Sequence, residues 1–259
     1  MLSEDDKKEI HNVFGDALST KTLQGISLVK PRGYAGDFEV IDRVYQRSLT
    51  TDPELINWDN FLLNTHAAKA VRNRKTYFLN LLSTLIKRGA SAESVAVLNI
   101  ASGPARDVFE YLSFATDERV RFTCVEYDKT AIQYAKALCY EHIDAIEFVQ
   151  ANAFRYSTEK KFPLVWSAGL FDYFDDRRFK FLLKRLYDFT EPGGQLVVGN
   201  FSTDNPDQSY MEVLMEWELH HRSPDDLRQL ALDCGVPDQN ISIGKEPEGV
   251  NLFLHATKS

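Results

Sequence analysis

The residues best suited to chemistry in this chain gather around one turn. The β-rich run Val95–Ala101 leads into Ser102-Gly103-Pro104-Ala105-Arg106, and a helical run follows from Asp107 to Leu112. Small residues at such a turn let the backbone approach a ligand, and the free N–H groups of a helix start can hold a polar head group. Glu126 ends the next β-rich run, 23 residues after Gly103. That spacing sets a carboxylate at the adjacent strand tip, where it can take both hydroxyls of a ribose. A third run ends in Ala151-Asn152-Ala153-Phe154. Its amide and apolar ring suit the edge and face of an adenine, although capping of the loop explains Asn152 equally well. The chemistry indicated is the binding of a nucleoside cofactor. Its expected contacts are Asn99, Ala101, Ser102, Gly103, Pro104, Arg106, Glu126, Tyr127, Asn152, Ala153 and Phe154.

The elements that must position these residues follow from periodicity. From Ser3 to about Arg88 apolar residues recur at helical spacing, and this predicts a helical N-terminal cap over residues 1–90. Ser3 with Asp6 forms an N-cap signal, and a long helix from about His66 to Arg88 is expected to stop at Gly89. Between them the turn-rich stretch Lys30–Asp37 breaks the pattern. From Val95 onward short β-rich runs alternate with helix-length segments: Val95–Ala101, Arg121–Glu126, Glu147–Ala151, Leu164–Ser167 and Gln195–Asn200. Such alternation means parallel strands with right-handed crossovers. Ile241–Ile243 and Asn251–Thr257 flank a short turn and should pair antiparallel. The expected fold is α/β, a Rossmann-like, seven-stranded, mostly parallel sheet over residues 91–259 with an antiparallel last strand and a lid-like insertion around 201–223. Ser223 before Pro224 and the acidic pair Asp225-Asp226 reads as a helix start.

Composition narrows the partners. The net charge of −8 and pI near 5.3 argue against a nucleic-acid surface, which works by neutralising phosphates with Lys and Arg. Cys124, Cys139 and Cys234 show no paired spacing, so neither a disulfide framework nor a zinc site is expected, and a reducing cytoplasm fits. No apolar run reaches the length of a membrane span, and the N-terminus does not read as a signal peptide. No His/Asp/Glu cluster has metal-ligand spacing.

A fourth run, Leu164–Phe174, and the turn Glu191-Pro-Gly-Gly194 complete an ordered series: glycine turn, acidic strand tip, polar third tip, Pro-Gly-Gly turn. In that order the chain resembles the class I S-adenosylmethionine (SAM) dependent methyltransferases from about Val95 to Ser202. The resemblance implies SAM as cofactor and adds Ser167, Ala168 and Gly169 to its contacts. Two departures stand out. Asn99 occupies a place where that family usually has an acid, and Ala101 and Ala105 replace two usual glycines. An amide can still orient the methionine moiety, and alanine is expected to be tolerated if the turn needs no positive φ there. The missing G-x-G-x-x-G ranks a nicotinamide enzyme well below methyl transfer.

The segment Pro31–Glu39, together with Gly199-Asn200-Phe201 and Met211 to Arg222, is similar to a bacterial subgroup linked to methylation of 3-hydroxy fatty acid carboxylates. That similarity implies a small-molecule acceptor with an acyl chain, and O-methylation yielding a fatty acid methyl ester. On the residues themselves, Asp37 could contact the SAM amino group and Tyr34 could close over the methionine end, or the Gly33 and Gly36 loop could be a plain connector. Met211, Leu214, Met215 and Leu219 share a helix face, either core or a lid over a greasy acceptor. Tyr173, Phe174, Asn200, Met215, Trp217 and Arg222 are the candidate substrate contacts. His220 and His221 offer a catalytic base if the acceptor is a hydroxyl or amine, whereas a carboxylate needs none. Lys69, Arg72, Arg74 and Lys75 read as a solvated helix face, with a dock for a carrier protein or an anionic head group as the alternative. A polyketide or aromatic hydroxyl acceptor is the nearest rival, and a noncatalytic nucleoside-binding partner protein is the rival from another class.

Overall fold

The computed structural model describes residues 3–88, 94–114 and 117–259. Five helices come first: α1 (Glu4–Phe14), α2 (Leu23–Val29), α3 (Phe38–Gln46), α4 (Ile56–Asn64) and α5 (His66–Arg88). Then strands and helices alternate: β1 (Val95–Ile100), α6 (Arg106–Phe114), β2 (Val120–Glu126), α7 (Lys129–Leu138), β3 (Ile146–Gln150), β4 (Phe162–Ser167), α8 (Asp176–Phe189) and β5 (Thr190–Phe201). The short α9 (Gln208–Leu214) and α10 (Pro224–Asp233) precede the hairpin of β6 (Ile241–Lys245) and β7 (Asn251–Thr257).

The seven strands lie in the order β3-β2-β1-β4-β5-β7-β6. The pairs along β3-β2-β1-β4-β5 are parallel, and β7 runs antiparallel to β5 and β6. The expected Rossmann-like sheet with one reversed strand is the one that forms. Because side chains alternate along a strand, β1 serves two cores. Leu98 and Ile100 meet Phe179, Leu182 and Leu186 of α8 and Leu227 of α10. Val95 and Val97 face the opposite way, onto Phe78 and Leu82 of α5 and Val108 of α6. Asn99 falls on this second side.

Helix α5 joins the sheet to the N-terminal helices. Ala67, Ala70 and Val71 pack with Leu23, Val40, Val44 and Leu62, while Phe78 and Leu82, further along the same helix, are fully buried on the sheet. Burial of such a side chain contributes about 1.5–3 kcal/mol. Both predicted N-caps are present, and each closes a capping box, Ser3 with Asp6 and Ser223 with Asp226. Gly89, the expected stop of α5, lies outside the described residues.

Two expectations change. Strand β5 begins at Thr190, ahead of the Pro-Gly-Gly turn. Phe162 pairs with Thr190 but Leu164 with Gln195, so the turn survives as a bulge, with Gly193 at φ +80°. None of residues 201–223 lines the cavity beyond the strand ends. Met211, Leu214 and Met215 are buried, and Met211 and Met215 pack among the N-terminal helices, because the apolar face of α9 is turned toward that core.

Candidate functional site

A cavity of about 450 Å³ opens beyond the carboxyl ends of β1 to β4, walled on the other side by α3, α5 and the loop before α3. Its size is that of a small-molecule site.

At one end of the cavity the glycine turn and the tip of β2 are hydrogen-bonded to each other. The Gly103 N–H donates to Glu126 Oε2 at 2.9 Å, and the Tyr127 and Asp128 N–H groups donate to Oε1 at 2.7 and 2.9 Å. Glu126 is therefore fixed in orientation and retains acceptor capacity for a hydroxyl. Asn152 Oδ1 accepts the Phe154 N–H at 2.9 Å, so the loop-capping role is real, yet Asn152, Ala153 and Phe154 all line the cavity. The Phe154 ring sits edge-on to Phe174 at 4.9 Å.

The glycine turn corrects an expectation. Ala101 and Ala105 adopt φ of +55° and +50°, the left-handed region that favours glycine. The turn keeps the glycine conformation without the glycines. Two buried polar groups in the turn are left over: Asn99 Nδ2, beside the Asp107 carboxyl but without a well-formed hydrogen bond, and Ser102 Oγ. Buried donors left unpaired by protein suit a polar ligand.

The opposite wall comes from the N-terminal helices. Phe38, Ile41 and Tyr45 of α3 face the turn, with Tyr34 and Gly36 of the preceding loop and Leu170, Tyr173 and Phe174 after β4. Arg106, expected at the cofactor, lines the cavity but spends its guanidinium on both oxygens of Asp42. Tyr134 donates to the same carboxylate at 2.5 Å. This cluster around the buried Asp42 ties α3 to α6 and α7. Burial, reinforced by Glu126 for Tyr34 and by Asp172 for Tyr173, pushes both phenols well up, so they stay neutral donors.

Several predicted residues stand elsewhere. Asp37 is the N-cap of α3, accepting the Glu39 and Val40 N–H groups, and its carboxyl is raised mainly by burial. The Ser167 hydroxyl donates to the Ile100 carbonyl. Asn200 donates to the Phe201 and His220 carbonyls, and its side-chain oxygen accepts from Arg222. Arg222 also donates to the Phe174 carbonyl and Asp176. Met215 is core, and Trp217 lies behind the cavity, donating to the Tyr173 hydroxyl at 3.0 Å. His220 and His221 do not line the cavity. His221 bonds Asn205, and burial lowers its pKa. These polar groups knit the turn after β4 to the end of β5, which is why their types suggested a site.

The expected solvated face on α5 is also corrected, because Arg74 is 6% exposed and lines the cavity with Lys75. Its signal was a charge placed in the stripe Val71, Phe78, Leu82. Tyr45, Phe38 and Asp107 carried no such signal.

The fold is the Rossmann-like fold of SAM-dependent methyltransferases, and residues 97–194 match a family model described as a methyltransferase domain. Among solved structures, a possible exported protein from Bordetella parapertussis superposes with a TM-score of 0.75 at 18% identity, over 98% of this chain and 87% of that one. The magnesium protoporphyrin IX methyltransferase ChlM from Synechocystis PCC 6803, with bound SAM, gives 0.56 at 12% identity over 100% of both chains. The SAM-dependent methyltransferase SibL, in its apo form, gives 0.55 at 17% identity over 91% and 69%. At these identities the likeness is one of fold. A search of the curated proteins finds no significant match.

Proposed function

We propose that this protein is a SAM-dependent methyltransferase of small molecules, with the carboxylate of a fatty or hydroxy-fatty acid as its favoured acceptor. One observation carries the reading: one cavity joins polar groups at Glu126, Gly103 and Asn152 to an apolar wall of Phe38, Ile41, Leu170 and Phe174. Among the described residues, no histidine lines it.

The cofactor supplies an activated methyl group on a sulfonium, and the chain supplies proximity, alignment and a dry site. A carboxylate acceptor arrives ionised and needs no proton removed, which suits a wall without a histidine. Tyr34 and Tyr173 remain protonated and can donate to one acceptor oxygen while the other attacks. The alkyl chain would lie against Phe38, Ile41, Leu170 and Phe174. We take residues 1–90 as the cap that shapes this end and 91–259 as the catalytic unit. A free acid fits better than a carrier-bound one, because a thioester has no carboxylate oxygen to methylate. We place the protein in the cytoplasm, on three cysteines that form no disulfide. No helix among the described residues is long and apolar enough to cross a membrane.

The test is incubation with SAM and a panel of fatty, 3-hydroxy fatty and aromatic hydroxy acids, with products read by mass spectrometry. Equal amounts of fatty acid methyl ester and S-adenosylhomocysteine are expected. Methylation of a hydroxyl would replace the acceptor, and cofactor binding without turnover on any acceptor would favour a noncatalytic partner protein. Glu126→Ala should weaken binding of SAM while leaving the protein folded.

A further inference from the structure

Helix α5 carries a charge where its buried stripe calls for an apolar residue. Arg74 lies in line with Val71, Phe78 and Leu82 and is 6% exposed. Its Nε donates to the Tyr45 hydroxyl at 2.9 Å, and its guanidinium carbon stands 5.7 Å from that ring's centroid. Among the described residues this is its only hydrogen bond, and it forms no ion pair within 4 Å. The two terminal nitrogens face the cavity beside Gly169, where a Cβ would stand 2.6 Å from Nη1.

The neighbouring acids have other partners. Asp107 Oδ1 accepts the Val108 N–H at 2.9 Å, and Asp172 accepts the Phe201 N–H. Asp172 and Asp107 act on the guanidinium only from beyond contact distance, so its planar fork, which matches a carboxylate bidentately, is left without a direct ionic partner.

The strand order says which part of a ligand would meet it. With adenine beyond β3 at Asn152 to Phe154 and ribose beyond β2 at Glu126, the remaining portion of SAM extends beyond β1 and β4. There Asn99, Asp107, Gly169 and Arg74 converge. We propose that Arg74 is the anchor for the α-carboxylate of the cofactor's amino-acid end, with Asp107 facing its ammonium in place of the acid absent at position 99. This rests on the cofactor reading above.

Calorimetric titration tests it with two ligands, S-adenosylhomocysteine and its decarboxylated analogue S-adenosyl-3-thiopropylamine, against the wild type, Arg74→Gln and Arg74→Lys. The wild type should prefer S-adenosylhomocysteine by about 10- to 100-fold, the worth of a charge-assisted bond. Arg74→Gln should lose that preference through weaker S-adenosylhomocysteine binding, with the analogue little changed and Arg74→Lys in between. Because the ratio is taken within each protein, partial unfolding of a variant cannot mimic it. A wild type that binds both ligands equally, or an Arg74→Gln protein that keeps the preference, overturns the assignment while leaving the cofactor reading intact. Retained S-adenosylhomocysteine affinity with loss of fatty-acid binding would hand the fork to the acceptor's carboxylate and overturn it as well. A wild type that binds neither nucleoside removes the cofactor reading and this assignment with it.

Discussion

The Trp217 indole N–H donates to the Tyr173 hydroxyl at 3.0 Å, and Gly36 of the loop before α3 is packed against both partners. A Cβ at Gly36 would stand 2.7 Å from the Tyr173 oxygen and closer still to the indole ring. The pair thus sets how near the Tyr34 loop lies to the turn after β4, and with it the width of the cavity between Tyr34 and Tyr173.

Gly36→Ala is accordingly expected to push that loop outward. We expect the KM for the acceptor to rise about 10-fold, with SAM affinity changed less, since misplaced positioning groups carry costs of that order or more. Steady-state kinetics with each substrate varied in turn separates the two effects, and equal losses in both would count against the geometry.

The left-handed alanines of the turn make a stability prediction. Holding a non-glycine residue there costs about 1–2 kcal/mol, and glycine returns about 0.4–1 kcal/mol of that through unfolded-state entropy. Ala101→Gly and Ala105→Gly should each stabilise by up to about 1 kcal/mol, or about 2–4 °C in Tm. Thermal unfolding checks this, and a clear loss of stability would show that the methyl groups contribute packing that outweighs the strain.

Asp172 gives a pH dependence. Burial raises its carboxyl to about 6 against the opposing pull of the Phe201 N–H and Arg74. Between about pH 4 and 6 the native state therefore binds more protons than the unfolded one, so its contribution to stability is full at the acid end and falls as pH rises. The loss is on the order of 3 kcal/mol. Asp172→Asn keeps an acceptor for the Phe201 N–H and removes the titration. Denaturant unfolding across this window should show the wild type losing ground to the variant as pH rises, and parallel profiles would refute the assignment.

His220 and His221 lie outside the cavity, so replacing both with Ala should leave kcat for a carboxylate acceptor within about threefold and its pH profile unchanged. A large fall in kcat at unchanged KM would return a base to the mechanism and point to a hydroxyl acceptor.

The sequence alone determined what depends on neighbours along the chain. Strand and helix alternation set the sheet and its reversed last strand, both capping boxes follow from residues three apart, and the Gly103–Glu126 pairing follows from one crossover between adjacent strands. Only the tertiary structure decided which residues meet across elements. Asp37, Ser167, Asn200 and Arg222 have the chemistry of a site, but they satisfy backbone groups that folding buries, and that demand cannot be seen before the chain is packed. Arg74 shows the reverse. On a helical wheel it is one more cation among Lys69, Arg72 and Lys75, and its burial appears only when α5 lies across the sheet and sets it at the cavity beside Gly169, without an ion pair.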